Sequence, residues 1–209
     1  MSDFSPDFQN RLWDLMQWRR DVRRFRSDPV DEDVLATCLD TFSLAPSVVL
    51  SEPWRVVRID SPNARAAVVE NFLHAHDEAL AGYSGEQANL YSTLKLSGMK
   101  ESPVQLAIFC DESTTKGAGL GAGTMPEMRR YSVVGAITQF WLTARAHGLG
   151  VGWVSILDPE RLSADLNISK DWVLVGYLCV GWPEKVSETP ELEQAGWENR
   201  RDHLMIEVR

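Results

Sequence analysis

The sequence predicts an α+β or α/β chain built on a central sheet of few strands. Three observations carry this. Apolar periodicity reads, in order, as helix, helix, strand, helix, strand, long helix, strand, short helix, strand and tail. No internal repeat and no linker divides the 209 residues, so residues 1–209 are expected to form a single domain. Hydrophobic residues make up 44% and charged residues 24%, ordinary globular usage that excludes wholesale disorder.

Each element has its own signal. Phe8, Leu12, Leu15 and Trp18 recur at helical spacing. An Arg-rich segment, Arg19 to Arg26, follows. Asp31 before Val34-Leu35 reads as a helix start, with the helix running through Cys38 to about Phe42. Trp54 to Ile59 is a short strand, and Asn63 to about Ala81 is helical in pattern. Residues 83–100 are polar, with no clear core face. Val104 to Cys110 is a fully apolar strand. Residues 113–124 are Gly-rich and expected to form a loop. Tyr131 to His147 is a strong helix, and Leu149 to Ile156 a strand interrupted by glycines. Asp158-Pro159-Glu160 opens a short helix, because Asp suits the N-cap and Pro the first turn. Trp172 to Gly181 is the last core strand. From Pro183 the chain is a polar tail, able to wrap a partner subunit or to fray.

Composition narrows the function classes. With 21 basic against 30 acidic residues the formal net charge is -9, which disfavours nucleic acid and anionic membranes. No apolar run approaches the ~20 residues that cross a bilayer, and no secretory signal opens the chain. Cys38, Cys110 and Cys179 lie in apolar runs and read as core residues, so a reducing, cytoplasmic location is expected. The four histidines show no zinc spacing with cysteines, so no metal site is expected. The glycines from 117 to 123 do not form a dinucleotide fingerprint, and neither a P-loop nor a GxSxG elbow occurs.

Three constellations could carry chemistry. Arg19-Arg20-Asp21-Val22-Arg23-Arg24 concentrates arginine in an acidic chain; its planar forks suit phosphate oxygens, or the run is a solvated helix end. Ala45-Pro46-Ser47, with Pro53-Trp54 after it, forms a stiff loop in which Ser47 donates to a ligand or caps the turn. Gly148, Gly150 and Gly152 strip one face of a strand ending Trp153-Val154-Ser155. Either a flat ligand approaches the backbone there or the helix Tyr131 to His147 packs on it.

In this order the motifs resemble the flavin-dependent nitroreductase superfamily from about residue 10 to 205. Within it they are most similar to the 5,6-dimethylbenzimidazole synthase branch. Asp21 stands where ordinary nitroreductases have Ser. Tyr83-Ser84-Gly85-Glu86 through Leu94-Lys95-Leu96 resembles that branch's lid insertion, and Gly150 to Ser155 its catalytic strand. Tyr177 to Gly181, Pro190-Glu191-Leu192 and Gly196-Trp197 resemble its C-terminal region.

The resemblance implies an α+β sandwich, a mostly antiparallel central sheet flanked by helices, in a homodimer. FMN would sit at the subunit interface, and the tail, about 183–209, would embrace the partner. It implies FMN contacts from Arg19, Arg20, Asp21, Val22, Arg23, Gly152, Trp153, Ser155 and Arg200. Pro46 and Ser47 would contribute from the partner chain, and Leu94 and Lys95 from a lid at about 83–100. The implied reaction consumes reduced FMN and molecular oxygen and releases the lower ligand of vitamin B12. NAD(P)H would act through a separate flavin reductase. Asp21 is the candidate for proton removal or for orienting the ribityl chain, and Ser155 for a hydrogen bond to the flavin. Val49, Glu52, residues 124–129 and Glu198 depart from the branch's usual residues. An NAD(P)H-dependent nitro- or quinone reductase, a cob(II)yrinate a,c-diamide reductase and a non-enzymatic flavin-binding protein remain as alternatives.

Overall fold

The computed structural model describes residues 3–209. Its helices are α1 (Pro6–Trp18), α2 (Glu32–Asp40), α3 (Pro62–Ala81), α4 (Gly85–Thr93), α5 (Met128–Ala146), α6 (Pro159–Asp165) and α7 (Glu191–Gln194). Its strands are β1 (Trp54–Arg58), β2 (Val104–Asp111), β3 (Gly150–Val154) and β4 (Trp172–Gly181). Among the described residues these strands form one antiparallel sheet in the order β1-β2-β4-β3.

β2 is buried on both faces because alternate residues feed two cores. Leu106, Ile108 and Cys110 pack with Leu35 of α2 and with Val133, Ile137 and Phe140 of α5. Ala107 and Phe109 pack with Val68 of α3, Leu162 of α6 and Tyr177. The result is three layers, with the sheet in the middle. Gln105, polar within this apolar strand, is satisfied: it donates to the Met99 carbonyl at 2.6 Å and accepts the Tyr177 hydroxyl at 2.5 Å. Asn71 of α3 brackets the Asp158 backbone, donating at 2.9 Å and accepting at 2.8 Å, which fixes the chain just after β3. Burial pushes the Cys110 thiol up to about 11 and Cys179 to about 12, so both serve packing rather than nucleophilic chemistry.

Several expectations are corrected. α2 ends at Asp40 rather than near Phe42, and a 3-10 turn, Thr41–Leu44, follows. α1 forms at the expected spacing but buries none of its residues; Trp13 and Met16 stay 68% and 45% exposed. The arginine run is not a helix end, because α1 stops at Trp18 and Arg19 is already extended (φ -66°, ψ 130°). Segment 83–100 does have inward-facing residues, since Tyr91 and Met99 are buried. The start of the tail is not frayed. Glu184 donates to the Arg24 carbonyl at 3.0 Å, and α7 follows.

The glycine face of β3 is covered by the arginine segment rather than by α5. A parallel bridge pairs Asp21 with Val151, and Val22 donates to the Val151 carbonyl at 3.0 Å. A Cβ at Gly150 would lie 2.8 Å from the Val22 side chain, and one at Gly152 only 2.1 Å from its carbonyl oxygen. The small residues therefore let the arginine segment lie flat on the sheet. Among the described residues no helix is long and apolar enough to cross a membrane.

Candidate active site

Laid on β3, the segment turns Arg19, Asp21 and Arg23 toward one cavity. They line it with Arg20, Pro190, Glu191, Leu192 and Arg200 around a volume of about 130 Å³. That is room for a phosphate-sized anion, not for a whole flavin. Arg19 and Arg200 have no carboxylate partner among the described residues. The Arg19 guanidinium lies 4.8 Å from the centre of the Trp141 ring. Burial, and after it the charge of Arg200, pulls Arg19 below its ordinary pKa. Arg20 is lowered by burial, then by Arg200, Arg19 and Arg145. Four arginines face two carboxylates here, Asp21 paired with Arg23 and Glu191 with Arg24, so net positive charge gathers in a concave, half-buried place, as an anion site requires.

The other arginines are more committed. Arg20 donates to the Gln17 and Arg19 carbonyls at 2.6 Å each and to the Glu188 carbonyl, tying α1 to the tail. Its Nε is buried without a partner. Arg24 pairs with Glu191 at 3.2 Å. Arg23, its side chain 13% exposed, donates through Nε to Asp21 Oδ2 at 3.0 Å and reaches the Lys95 carbonyl at 3.5 Å.

Asp21 has both oxygens engaged. Oδ1 accepts the Trp153 N–H at 2.8 Å, and Oδ2 takes Arg23. Its charge partner is thus Arg23, not Arg20 or Arg24. Asp21 also borders a larger cavity, about 570 Å³, between the arginine segment and tail residues 184–194.

The remaining candidates are spread out. Ser155 is exposed just past β3, two residues beyond the N–H that holds Asp21, or about 7 Å along an extended chain. The Trp153 indole sits over Gly176, where a Cβ would lie 2.6 Å from it, and 6.2 Å from the Trp141 ring. Val22 and Gly152 are spent on each other. Leu94 and Lys95 line a third cavity of about 320 Å³ against Phe72 and His76 of α3, with Lys95 paired to Glu101 at 2.5 Å.

Pro46 and Ser47 are elsewhere in the protomer. Ser47 Oγ accepts the Glu52 N–H at 3.1 Å, and Val48 N–H donates to Ser132 of α5 at 3.0 Å. Ser132 lies about 13 Å along α5 from Trp141, at 1.5 Å per residue. Beside it Val49, Leu50 and Glu52 hold φ of 51°, 55° and 43°, a strained loop seated on Gly117. The charge of Glu52 is offset by Lys116.

Trp141, within the helix expected at residues 131–147, was not singled out as a site residue from the sequence. Sequence reasoning named Tyr83 and Trp197 only as motif residues, passed over Tyr91, and missed that the three rings meet, joining residues 83–91 to the tail. Their recurrence as aromatics in two polar segments was the available signal.

The model of the nitroreductase family matches residues 16–182. A 5,6-dimethylbenzimidazole synthase from Rhodospirillum rubrum is 51% identical over 203 residues, covering 97% of this chain and 96% of its own. A protein of the same name from Rhodobacter capsulatus is 45% identical over 196 residues, 94% of this chain and 95% of its own. Among solved structures, iodotyrosine deiodinase bound to FMN and 3-iodo-L-tyrosine superposes with a TM-score of 0.75. It is 20% identical and covers 95% of this chain and 98% of its own, a likeness of fold.

Proposed function

Because the chain belongs to the nitroreductase family, we propose that it is a 5,6-dimethylbenzimidazole synthase, an oxidoreductase that binds reduced FMN as substrate and fragments it with molecular oxygen. Near full-length identity to relatives of that name supports the reaction. One geometric observation carries the site: Arg19 and Arg200, neither in an ion pair among the described residues, converge on a cavity whose two carboxylates, Asp21 and Glu191, are held by Arg23 and Arg24.

The residues fit a flavin phosphate. Arg19 and Arg200 take the dianion, which relieves their mutual repulsion. Arg20 adds its charge to the cluster and holds the tail in place. Arg23 orients Asp21, with Lys95 and Leu94 above them in the lid, residues 83–100. Reduced FMN supplies the carbon skeleton of the product, and oxygen the oxidising power. Asp21 would take a proton from the ribityl chain, and Ser155, exposed and without a hydrogen bond among the described residues, would donate to the flavin. The lid excludes water from an oxygen-reactive flavin. A separate flavin reductase draws on NAD(P)H and delivers the reduced FMN.

The chain works as a homodimer of one domain per protomer in a reducing cytoplasm, with the tail from about 183 embracing the partner. Leu204, Met205, Ile206 and Val208 are 76–94% exposed, as are Phe8, Leu12, Trp13 and Met16 of α1 to 40–68%. Pro46 and Ser47, remote from the arginines of their own protomer, then serve the partner's site. Incubation with FMN, NADH, a flavin reductase and air tests the reaction. Dimethylbenzimidazole is the expected product, and quantitative recovery of intact FMN refutes the proposal in favour of a recycling reductase or a flavin-binding protein.

A further inference from the structure

α4, the helical part of the lid, is fastened in an unusual way. Among the described residues none of its hydrogen bonds reaches outside residues 84–94. Rings hold it instead. Tyr91 packs 5.0 Å from His76 of α3 and 5.0 Å from Tyr83. Trp197 of the tail closes the cluster, edge-on to Tyr83 at 5.7 Å and 89° and 6.1 Å from Tyr91.

The position of Trp197 is set by how α7 ends. Gly196 (φ 75°) donates to the Glu193 carbonyl at 3.0 Å, and Trp197 to the Leu192 carbonyl at 2.9 Å. This pair of bonds is a Schellman closure, in which the left-handed residue favours glycine. The helix so terminated is fixed to the arginine segment by Glu191 on Arg24. Leu192 lines the anion cavity, as does Arg200, three residues past Trp197. One short stretch of tail therefore touches the phosphate cavity and the lid together. The Tyr91 hydroxyl is buried in this cluster without a hydrogen-bond partner among the described residues, so the ring contacts alone fasten it.

We propose that Trp197 is a positioning residue that latches the lid to the arginine cavity, so that phosphate of FMN held by Arg19 and Arg200 keeps residues 83–97 closed. The inference rests on the FMN reading above. Its test is hydrogen–deuterium exchange of the 83–97 peptide in the full-length protein, with and without FMN, beside FMN affinity. In the parent, FMN slows exchange of this peptide. Trp197→Ala is expected to bind FMN within about threefold of the parent. Its lid should exchange roughly three- to tenfold faster in the FMN complex, the scale of aromatic pair contacts. Product yield per FMN consumed falls, and Trp197→Phe restores most of the protection. Should Trp197→Ala fail to fold, Gly196→Ala, whose added Cβ meets nothing within 4 Å, misplaces the indole through the backbone alone and is read the same way. Full protection in these variants overturns the latch and leaves the FMN reading standing. A parent that binds no FMN overturns both.

Discussion

Asp21→Asn separates chemistry from architecture because the carboxylate has two distinct attachments. The Trp153 N–H at 2.8 Å needs only an acceptor, and the amide oxygen supplies it. The Arg23 Nε at 3.0 Å then faces an amide nitrogen, donor against donor. A hydrogen bond to a charged group contributes about 1.5–3 kcal/mol. Here Asp21 is 34% exposed, so water recovers part of the loss for one partner, whereas Arg23 is only 13% exposed. A net loss of about 1–2 kcal/mol is the balance, or roughly 2–8 °C in Tm for a chain of this length. FMN affinity should stay within about threefold, because Arg19 and Arg200 are untouched. Product formation should fall at least ~100-fold, the low end for a removed general base. Single-turnover mixtures of enzyme, reduced FMN and oxygen, quenched and analysed for dimethylbenzimidazole and recovered FMN, give the answer. Normal product yield from a folded Asp21→Asn protein refutes the base assignment. Loss of FMN binding instead assigns Asp21 to holding Arg23.

Other expectations follow from the same geometry. Arg19→Ala and Arg200→Ala should each weaken FMN binding roughly 10- to 150-fold, the equivalent of a charged hydrogen bond, with a shallower salt dependence than the parent; unchanged titrations would remove the phosphate assignment. Gly152→Ala should cost several kcal/mol or prevent folding, because its Cβ lies 2.1 Å from the Val22 carbonyl oxygen. Gly135→Ala, inside α5 with nothing within 4 Å, should instead raise stability by about 0.5–1 kcal/mol in urea titrations; equal effects at the two sites would contradict the packing described. Asp111 is pushed up by burial but held down on balance by Ser113 and Arg55, 2.7 Å away. A depressed folded pKa adds stability that is complete above the unfolded value near about 3.9 and lost as pH falls through the folded one. Asp111→Asn should therefore flatten the acid limb of the unfolding profile, and an unaltered limb would exclude the group.

Elements with local chemistry were legible in the sequence. Asp31 and Asp158 each cap their helix through one carboxylate oxygen, at 2.9–3.2 Å and 2.9–3.1 Å, and neither needs a distant residue. β2 was legible because eight buried residues in a row have no amphipathic alternative. The arginine segment was not. Its spacing suits a helix end as well as a strand, and what makes it extended is Val151, far along the chain. The same distance hid the meaning of the glycines in β3: a stripped strand face was readable, its occupant was not. The tail's closure around Gly196 uses local bonds, but its value lies in Tyr83 and Tyr91, a hundred residues upstream.

The arginine-lined cavity depends on that hidden pairing more than on the arginines themselves. An extended segment alternates its side chains, so packing Val22 onto Gly150 sends Asp21 and Arg23 the opposite way. Asp21 then meets the Trp153 N–H at the next rung of β3, which locks the register of the segment against the strand. A slip of one residue would turn Val22 into the cavity and an arginine onto the sheet. Beyond Arg23, buried Phe25 and the bridge from it to Pro183 stop such a slip and start the tail on the course that brings Arg200 back beside Arg19. Small residues at 150 and 152 are thus a condition for gathering positive charge at 19 and 200. Widening either glycine should loosen phosphate binding even where the protein still folds.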